Sequence, residues 1–241
     1  MPNTQTSVPA FTAGQVLTAQ QQTEINTGIP VFATTTTRDA AFGGTGEKTL
    51  AEGQFAYIEA SNATQYYDGA AWQTIGGGLA IVKTETAFSA VSSLTADSVF
   101  SSTYTNYRMI VRFTTSAADL AMQFRASGTD TTSGYNYQQL RGQDTTASAA
   151  RSASQSSATI ADSSSGSFVS LCSVEICGPN LAEPTLFSSL NAKSAGAYTA
   201  PSVVNFGGNQ SGTTQFDGIK LLVSSGTMTG SYTIYGYGKS V

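Results

Sequence analysis

No histidine occurs in the sequence, and that absence removes a large part of enzyme chemistry. Ser-His-Asp and Cys-His nucleophilic catalysis both need an imidazole to carry the proton, and histidine is also the commonest transition-metal ligand. Cysteine is nearly as scarce, with 2 residues, Cys172 and Cys177. Both lie in Ser167-Phe-Val-Ser-Leu-Cys-Ser-Val-Glu-Ile-Cys-Gly178, which reads as one strand. At that separation they face opposite sides of the strand, roughly 16 Å apart. A disulfide needs Cα atoms within about 7 Å, so two reduced thiols are expected. Two thiols on opposite faces do not complete a zinc site either. No GxxxxGK[ST] phosphate loop is present, and Gly43-Gly-Thr-Gly46 lacks the strand-to-helix context of a nucleotide loop. No catalytic, cofactor-binding or metal site is expected, and no cofactor.

Charge is scarce too. Charged residues make up 11% of the chain, and 11 Lys+Arg against 15 Asp+Glu leave a net charge of -4 with no basic run. Nucleic-acid binding needs several phosphate contacts and is disfavoured. No apolar stretch reaches the roughly 18 residues of a membrane span, so membrane insertion is not expected. What the chain does have is 12 Phe, 11 Tyr and 24 Gly in 241 residues that are 40% hydrophobic. Aromatic content of this kind argues for order rather than disorder, and the length allows a sizeable core without staples. Surface polarity must come from Ser, Thr, Gly, Asn and Gln, which feel salt screening little.

Along the chain, residues 1–30 read as an extended attachment segment with one short helix. Thr18 and Gln21 have capping-box spacing, and Gly28 and Pro30 supply the stop. Residues 31–78 read as a small β-hairpin unit. In Gly53-Gln-Phe-Ala-Tyr-Ile-Glu-Ala60, Phe55 and Tyr57 share a face. Asp68-Gly69 is a hairpin signal, and Ala71–Ile75 is the return strand carrying Trp72, the only Trp. Two or three strands are marginal alone. A boundary is expected at Gly76-Gly77-Gly78.

Residues 79–241 alternate repeatedly. Tyr107, Met109, Val111 and Phe113 share one face, and Leu120, Met122 and Phe124 another. Phe168, Val174 and Ile176, then Ile219, Leu221 and Val223, then Tyr232 and Ile234 repeat the pattern. Strands recur with no helical period between them, so the expected fold is mainly β, an antiparallel jelly-roll-like β-sandwich. The Ser/Ala/Thr-rich run Thr145–Thr159 reads as a long exposed loop.

Carboxylates are the remaining catalytic candidates, and a glycan-cleaving site would need a close pair. Asp97, Asp119, Asp130, Asp144, Asp162, Glu183 and Asp217 mostly fall at turns. Glu175 is mid-strand, with Arg108, Arg112 or Arg125 as its expected partner. Gly128–Ser133 has oxygen ligands but not the spaced acids of a calcium site, and reads as a turn. The candidate sugar-contact residues are Tyr135, Tyr137, Gln138, Arg141 and Arg151, because aromatics beside amides can stack on and hydrogen-bond sugars. The same residue types, like Tyr235 and Tyr237, also suit a subunit interface.

Three elements in order carry a resemblance. Ile29-Pro-Val-Phe-Ala-Thr-Thr-Thr-Thr-Arg-Asp-Ala-Ala-Phe42, Leu50-Ala-Glu-Gly-Gln-Phe-Ala-Tyr-Ile58 and Gln65-Tyr-Tyr-Asp-Gly-Ala-Ala-Trp72 resemble a small module of phage tail and appendage proteins. The match spans roughly residues 8–76. Phe124–Asp130, Tyr137–Arg141 and Gly226–Tyr237 resemble phage virion β-domains more generally. The resemblance implies a bacteriophage virion structural protein that is not an enzyme. It would be a homotrimeric tail-fibre-type subunit attached to other virion proteins through its N-terminal part, where Phe11, Leu17 and Ile25 are the candidate anchors. Its β-sandwich would project toward a host surface glycan. A capsid-mounted head fibre or decoration protein is the alternative, and a carboxylate-based glycan depolymerase a third. No basic n-region precedes a hydrophobic core, so the expectation is accumulation in the host bacterial cytoplasm, release by lysis, and a final location in the virion.

Overall fold

The computed structural model describes residues 8, 12–19, 21, 28–45, 47–75, 78–162, 168–194 and 202–238. The chain divides into two compact units, Met1–Gly77 and Gly78–Ser240.

In the first unit, β1 (Val31–Phe32), β2 (Phe55–Ile58), β3 (Ala63–Tyr67) and β4 (Trp72–Thr74) form one sheet in that order, with β1 parallel to β2 and the rest antiparallel. A short helix, α1 (Thr35–Asp39), follows β1. It starts because Thr34 and Thr37 cap one another: each backbone N–H donates to the other's hydroxyl, at 3.0 and 3.2 Å. Phe55 and Tyr57 do share a face, but it is the outward one. The core takes Ala56 and Ile58 with Phe32 and Ala41, and Val8, Phe42 and Trp72 pack against them.

Among the described residues, Val8 ties the N-terminal segment to this unit. The Val8 N–H donates to the Ala41 carbonyl at 3.2 Å, and the Lys48 N–H donates to the Val8 carbonyl at 2.8 Å. Thr18 and Gln21 make the reciprocal bonds of a capping box, at 3.0 and 3.2 Å. Gly28 has φ 74, the left-handed conformation of a helix stop, while residues 22–27 lie outside the described residues.

The Asp68-Gly69 turn closes β3 onto β4, with Gly69 at φ 97. One Asp68 carboxylate oxygen accepts the Ala70 and Ala71 N–H groups at 2.9 and 2.7 Å, and the other accepts the Gln73 amide at 2.8 Å. The backbone bonds, led by that from Ala71, hold this carboxyl below its ordinary value of 3.8. A depressed folded-state pKa contributes stability that is present above the unfolded value and lost as pH falls through the folded one. The melting temperature of the first unit should therefore decline as pH drops below about 3.8. In Asp68→Asn the part of that decline due to this group should vanish, which a pH series of thermal melts would check.

The second unit contains β5 (Leu79–Val91), β6 (Ser93–Ala96), β7 (Asn106–Thr115), β8 (Leu120–Ala126), β9 (Thr129–Asp130), β10 (Tyr135–Gln143) and β11 (Thr146–Gln155). It continues with β12 (Ala158–Ala161), β13 (Ser170–Cys177), β14 (Thr185–Lys193), β15 (Ser202–Gln210), β16 (Gly218–Val223) and β17 (Met228–Tyr237). One sheet runs β11-β10-β15-β14-β13-β7-β17-β5 and the other β12-β8-β16-β6, with β9 paired to β8. Within these orders lie the two interleaved quartets of a jelly roll, β5-β17-β7-β13 and β6-β16-β8-β12. The expected mainly-β antiparallel sandwich is therefore what the chain forms. Two strand pairs are additions. β10–β11 is inserted between β8 and β12, and β14–β15 between β13 and β16. All four join the larger sheet beyond β13 as a wing.

The core lies between the sheets. Tyr107, Met109, Val111 and Phe113 of β7, with Cys172, Val174 and Ile176 of β13, face Leu120, Met122 and Phe124 of β8 and Ile219 and Leu221 of β16. Phe168 does not join them, because it precedes the strand and is exposed. Cys172 is buried and Cys177 exposed, both as free thiols. Burial pushes the Cys172 thiol up to about 12.

Thr145–Thr159 is not a loop. Residues 146–155 are β11, paired along its length to β10, and β12 begins at Ala158. The strand has no hydrophobic period because nearly every residue in it is exposed, so no buried face imprinted a pattern on the sequence.

Candidate functional site

The wing positions all five candidate contact residues and sorts them by strand parity. Tyr135 is fully buried. It accepts the Phe124 N–H at 2.7 Å and donates to the Thr131 carbonyl at 3.1 Å. It is a core residue rather than a contact residue, because β10 enters the sandwich at that end and turns odd positions inward. Tyr137 follows it, half-buried, with its hydroxyl 3.0 Å from that of Thr159. Arg141 also points inward, where its guanidinium meets Asp162 at 2.5 Å. Gln138 and Arg151 face out, directly opposite one another across β10 and β11. Of the candidate anchors, Leu17 is half-buried, and Phe11 and Ile25 lie outside the described residues.

On the outward face a cavity of about 520 Å³ is lined by Gln138, Leu140, Arg151, Asn205 and Gly207, among others. A second, of about 350 Å³, is lined by Arg108, Glu175, Ser188 and Leu190 and shares Asn205. Gly207 contributes to the hollow because it carries no side chain, and nothing lies within 4 Å of where a Cβ would stand. Gly208 next to it is required for a different reason. A Cβ there would collide with the Asn136 carbonyl oxygen, so β15 and β10 pair this closely only with glycine at that point.

Five of the carboxylates singled out in the sequence are held by cations, a hydroxyl or a backbone N–H, and Asp97 and Asp130 share Arg125. Glu175 pairs across the sheet with Arg108 at 3.2 Å, as its mid-strand placement suggested, and accepts the Tyr237 hydroxyl at 2.6 Å. That bond to the carboxylate, first among the causes, raises the Tyr237 phenol above its ordinary value. Arg125 gathers Asp97 at 2.7 Å, Asp130, and the Gly128 carbonyl at 2.6 Å, and Lys220 reaches Asp130 at 2.6 Å. The 128–133 turn is thus held by ion pairs through Asp130. Asp217 accepts the Ser127 N–H at 3.1 Å. Asp162 is buried beneath the wing between Arg141 and Lys193, the latter at 3.9 Å. Burial raises its carboxyl above the ordinary range, and the two cations pull it back.

In the first unit the three sequence elements 29–42, 50–58 and 65–72 meet. The Arg38 guanidinium is buried, lies 4.5 Å from the centre of the Trp72 ring and donates to Gln65 and Asp39. The sequence showed these residues only as a pattern. The Arg–Trp contact behind it was not legible.

No family model matches the chain, and no curated protein matches it. Among solved structures, the exo-inulinase of Aspergillus awamori overlaps 77% of this chain and 34% of its own, at 14% identity and a TM-score of 0.31. The chain spans about a third of that enzyme's length, and a likeness at this score carries no argument about function.

Proposed function

We propose that the chain is a structural subunit of a bacteriophage virion. It is a homotrimeric tail-fibre-type appendage subunit, held to other virion proteins through its N-terminal unit and projecting the jelly roll toward the host surface. The observation that carries this reading is the convergence of the module's elements. Arg38 of the first lies over Trp72 of the third, and the strand of the second, β2, pairs with the strand that bears Gln65. The residues that resemble phage appendage proteins are therefore those that hold the unit together. Multiple copies on one particle raise avidity by about 10²–10⁴ without strong single contacts, which suits a surface whose polarity is neutral.

Antibodies to the chain, applied to purified phage particles from its source and viewed by electron microscopy, test the proposal. Label at the tail is the expected result. Label on the capsid would move the protein to the head-fibre or decoration alternative, and particles without label would overturn a virion role.

A further inference from the structure

The wing carries an apolar face that the chain does not cover. Leu140, Leu171, Leu186, Leu190 and Val203 stand on the outward side of β10, β13, β14 and β15 with exposures of 64, 49, 55, 50 and 48%. Leu140 and Leu190 flank Asn205 in one row, and Leu171 and Val203 flank Ala192 in the next, whereas Leu186 stands apart between Cys177 and Asn209. Single exposed leucines need no explanation, but a contiguous patch of several hundred Å² marks a contact surface.

The adjoining edge is also open. β11 pairs only with β10 among the described residues, and its burial is negligible on both faces. A strand of 10 residues in that position presents a row of unpaired N–H and C=O groups. Few of the usual protections are present: Thr146–Gln155 contains no Pro, Lys or Glu, Arg151 is its single charge, and its bulge is confined to the end at Ser154, with φ 55.

We propose that the outward face of β14, β15 and β10, with the free edge of β11, is the surface on which further copies of this chain associate. The inference rests on the homo-oligomeric appendage reading and specifies its interface. Charge selects the occupant. The outward positions of β14, β15 and β10 bear no charged residue, and Glu175 on the neighbouring β13 is neutralised by Arg108. A closed ring of three sets one patch of each copy against a different patch of the next, here the β11 edge against the apolar outward face. With Arg151 as the single charge on the two patches, neither offers the complementary charge by which a different partner would be selected. Size agrees. The grouped apolar side chains and the β11 edge together extend toward the about 800 Å² per partner of a standard interface. Gln138 and Arg151, exposed on this face, become subunit contacts in place of host contacts.

The solution mass of the full chain, compared with Leu140→Glu/Leu190→Glu at the same micromolar concentration, tests this. The expected result is a wild-type mass three times the 24.9 kDa of the chain and a variant at the single-chain mass, with unchanged circular dichroism. The variant's dissociation constant should rise at least about 100-fold, since each new carboxylate must be buried in the interface without a partner. A wild-type oligomer whose mass the variant keeps would overturn this interface and leave the appendage reading standing. A monomeric wild type would overturn both. Should the double variant misfold, Leu190→Cys in a Cys177→Ser background decides. Maleimide labelling at least tenfold slower in the oligomer than in the dissociated chain is expected, and equal rates would overturn the interface.

Discussion

Replacing Trp72 by alanine is expected to unfold the first unit while leaving the jelly roll intact. Its ring stands 5.9 Å from Phe42 and 5.7 Å from Tyr67, and Arg38 lies over it at 4.5 Å. Truncating a core aromatic costs about 3–5 kcal/mol, an upper bound for the half-buried Trp72. The lost cation–π contact adds about 1–2 kcal/mol more because the guanidinium is buried. The rest of this core is Phe32, Ala41, Ala56 and Ile58 with Val8 and Phe42 around it. At about 0.05–0.15 kcal/mol per residue, a unit of this size has roughly 4–12 kcal/mol in total, so the substitution removes much or all of it. Limited trypsinolysis gives a direct readout, because Arg38 is a cleavage site buried in the native unit. Cleavage after Arg38 should accelerate by about two orders of magnitude or more, following the population of the open form. Fragments of the jelly roll should keep the wild-type pattern. Trp72→Phe should retain most of the protection. An Arg38 cleavage rate unchanged in Trp72→Ala would show that the ring does not hold the unit.

How much of this was legible in the sequence depended on whether a residue's surroundings are one-sided. β7, β8 and β16 each have one face in the sandwich core, so their alternation gave the strands, the buried positions and the fold class directly. Asp68-Gly69 was legible because turn geometry is local. β11 was not, since a strand exposed on both faces has no period to read, and its small residues looked like a loop. The α1 helix was hidden in Thr34–Thr37, a poor helix-forming run whose capping depends on two hydroxyls meeting. On β2 the alternation was legible but which face turns inward was not, because Phe55 outweighs Ala56 in hydrophobicity and yet Ala56 and Ile58 are the residues in the core. Among the contact candidates, parity along β10 separates Tyr135 and Arg141 from Gln138. That separation could have been read from spacing, but not which side was inward. The apolar wing face was likewise invisible, because Leu140, Leu190 and Val203 are far apart in sequence and adjacent only through the inserted strand pairs.

Tyr135 provides the sharpest test of that inward assignment. As a surface contact residue it would tolerate truncation with a change within about 0.5 kcal/mol. As placed here, its ring lies 6.2 Å from Phe124, which itself stacks on Phe216 at 5.1 Å. Its hydroxyl also serves the Phe124 N–H. Tyr135→Ala should therefore cost about 3–5 kcal/mol for the cavity, and the orphaned amide adds about 1–3 more. Tyr135→Phe isolates the second component, because the ring stays and only the hydroxyl is lost. It should cost about 1–3 kcal/mol in urea unfolding of the second unit, with an unchanged slope. The alkaline side adds a signature. Burial, the larger influence, raises the Tyr135 phenol well above its ordinary value of 10.0. A raised folded-state pKa contributes stability that is fully present below the unfolded value and is lost as pH climbs through the folded one. Wild-type stability should thus begin to fall above about pH 10. Tyr135→Phe, with nothing to ionise at that site, should lose less over the same interval, so the gap between the two proteins narrows as pH rises. A gap that stayed constant or widened would place the Tyr135 hydroxyl in water rather than against Phe124.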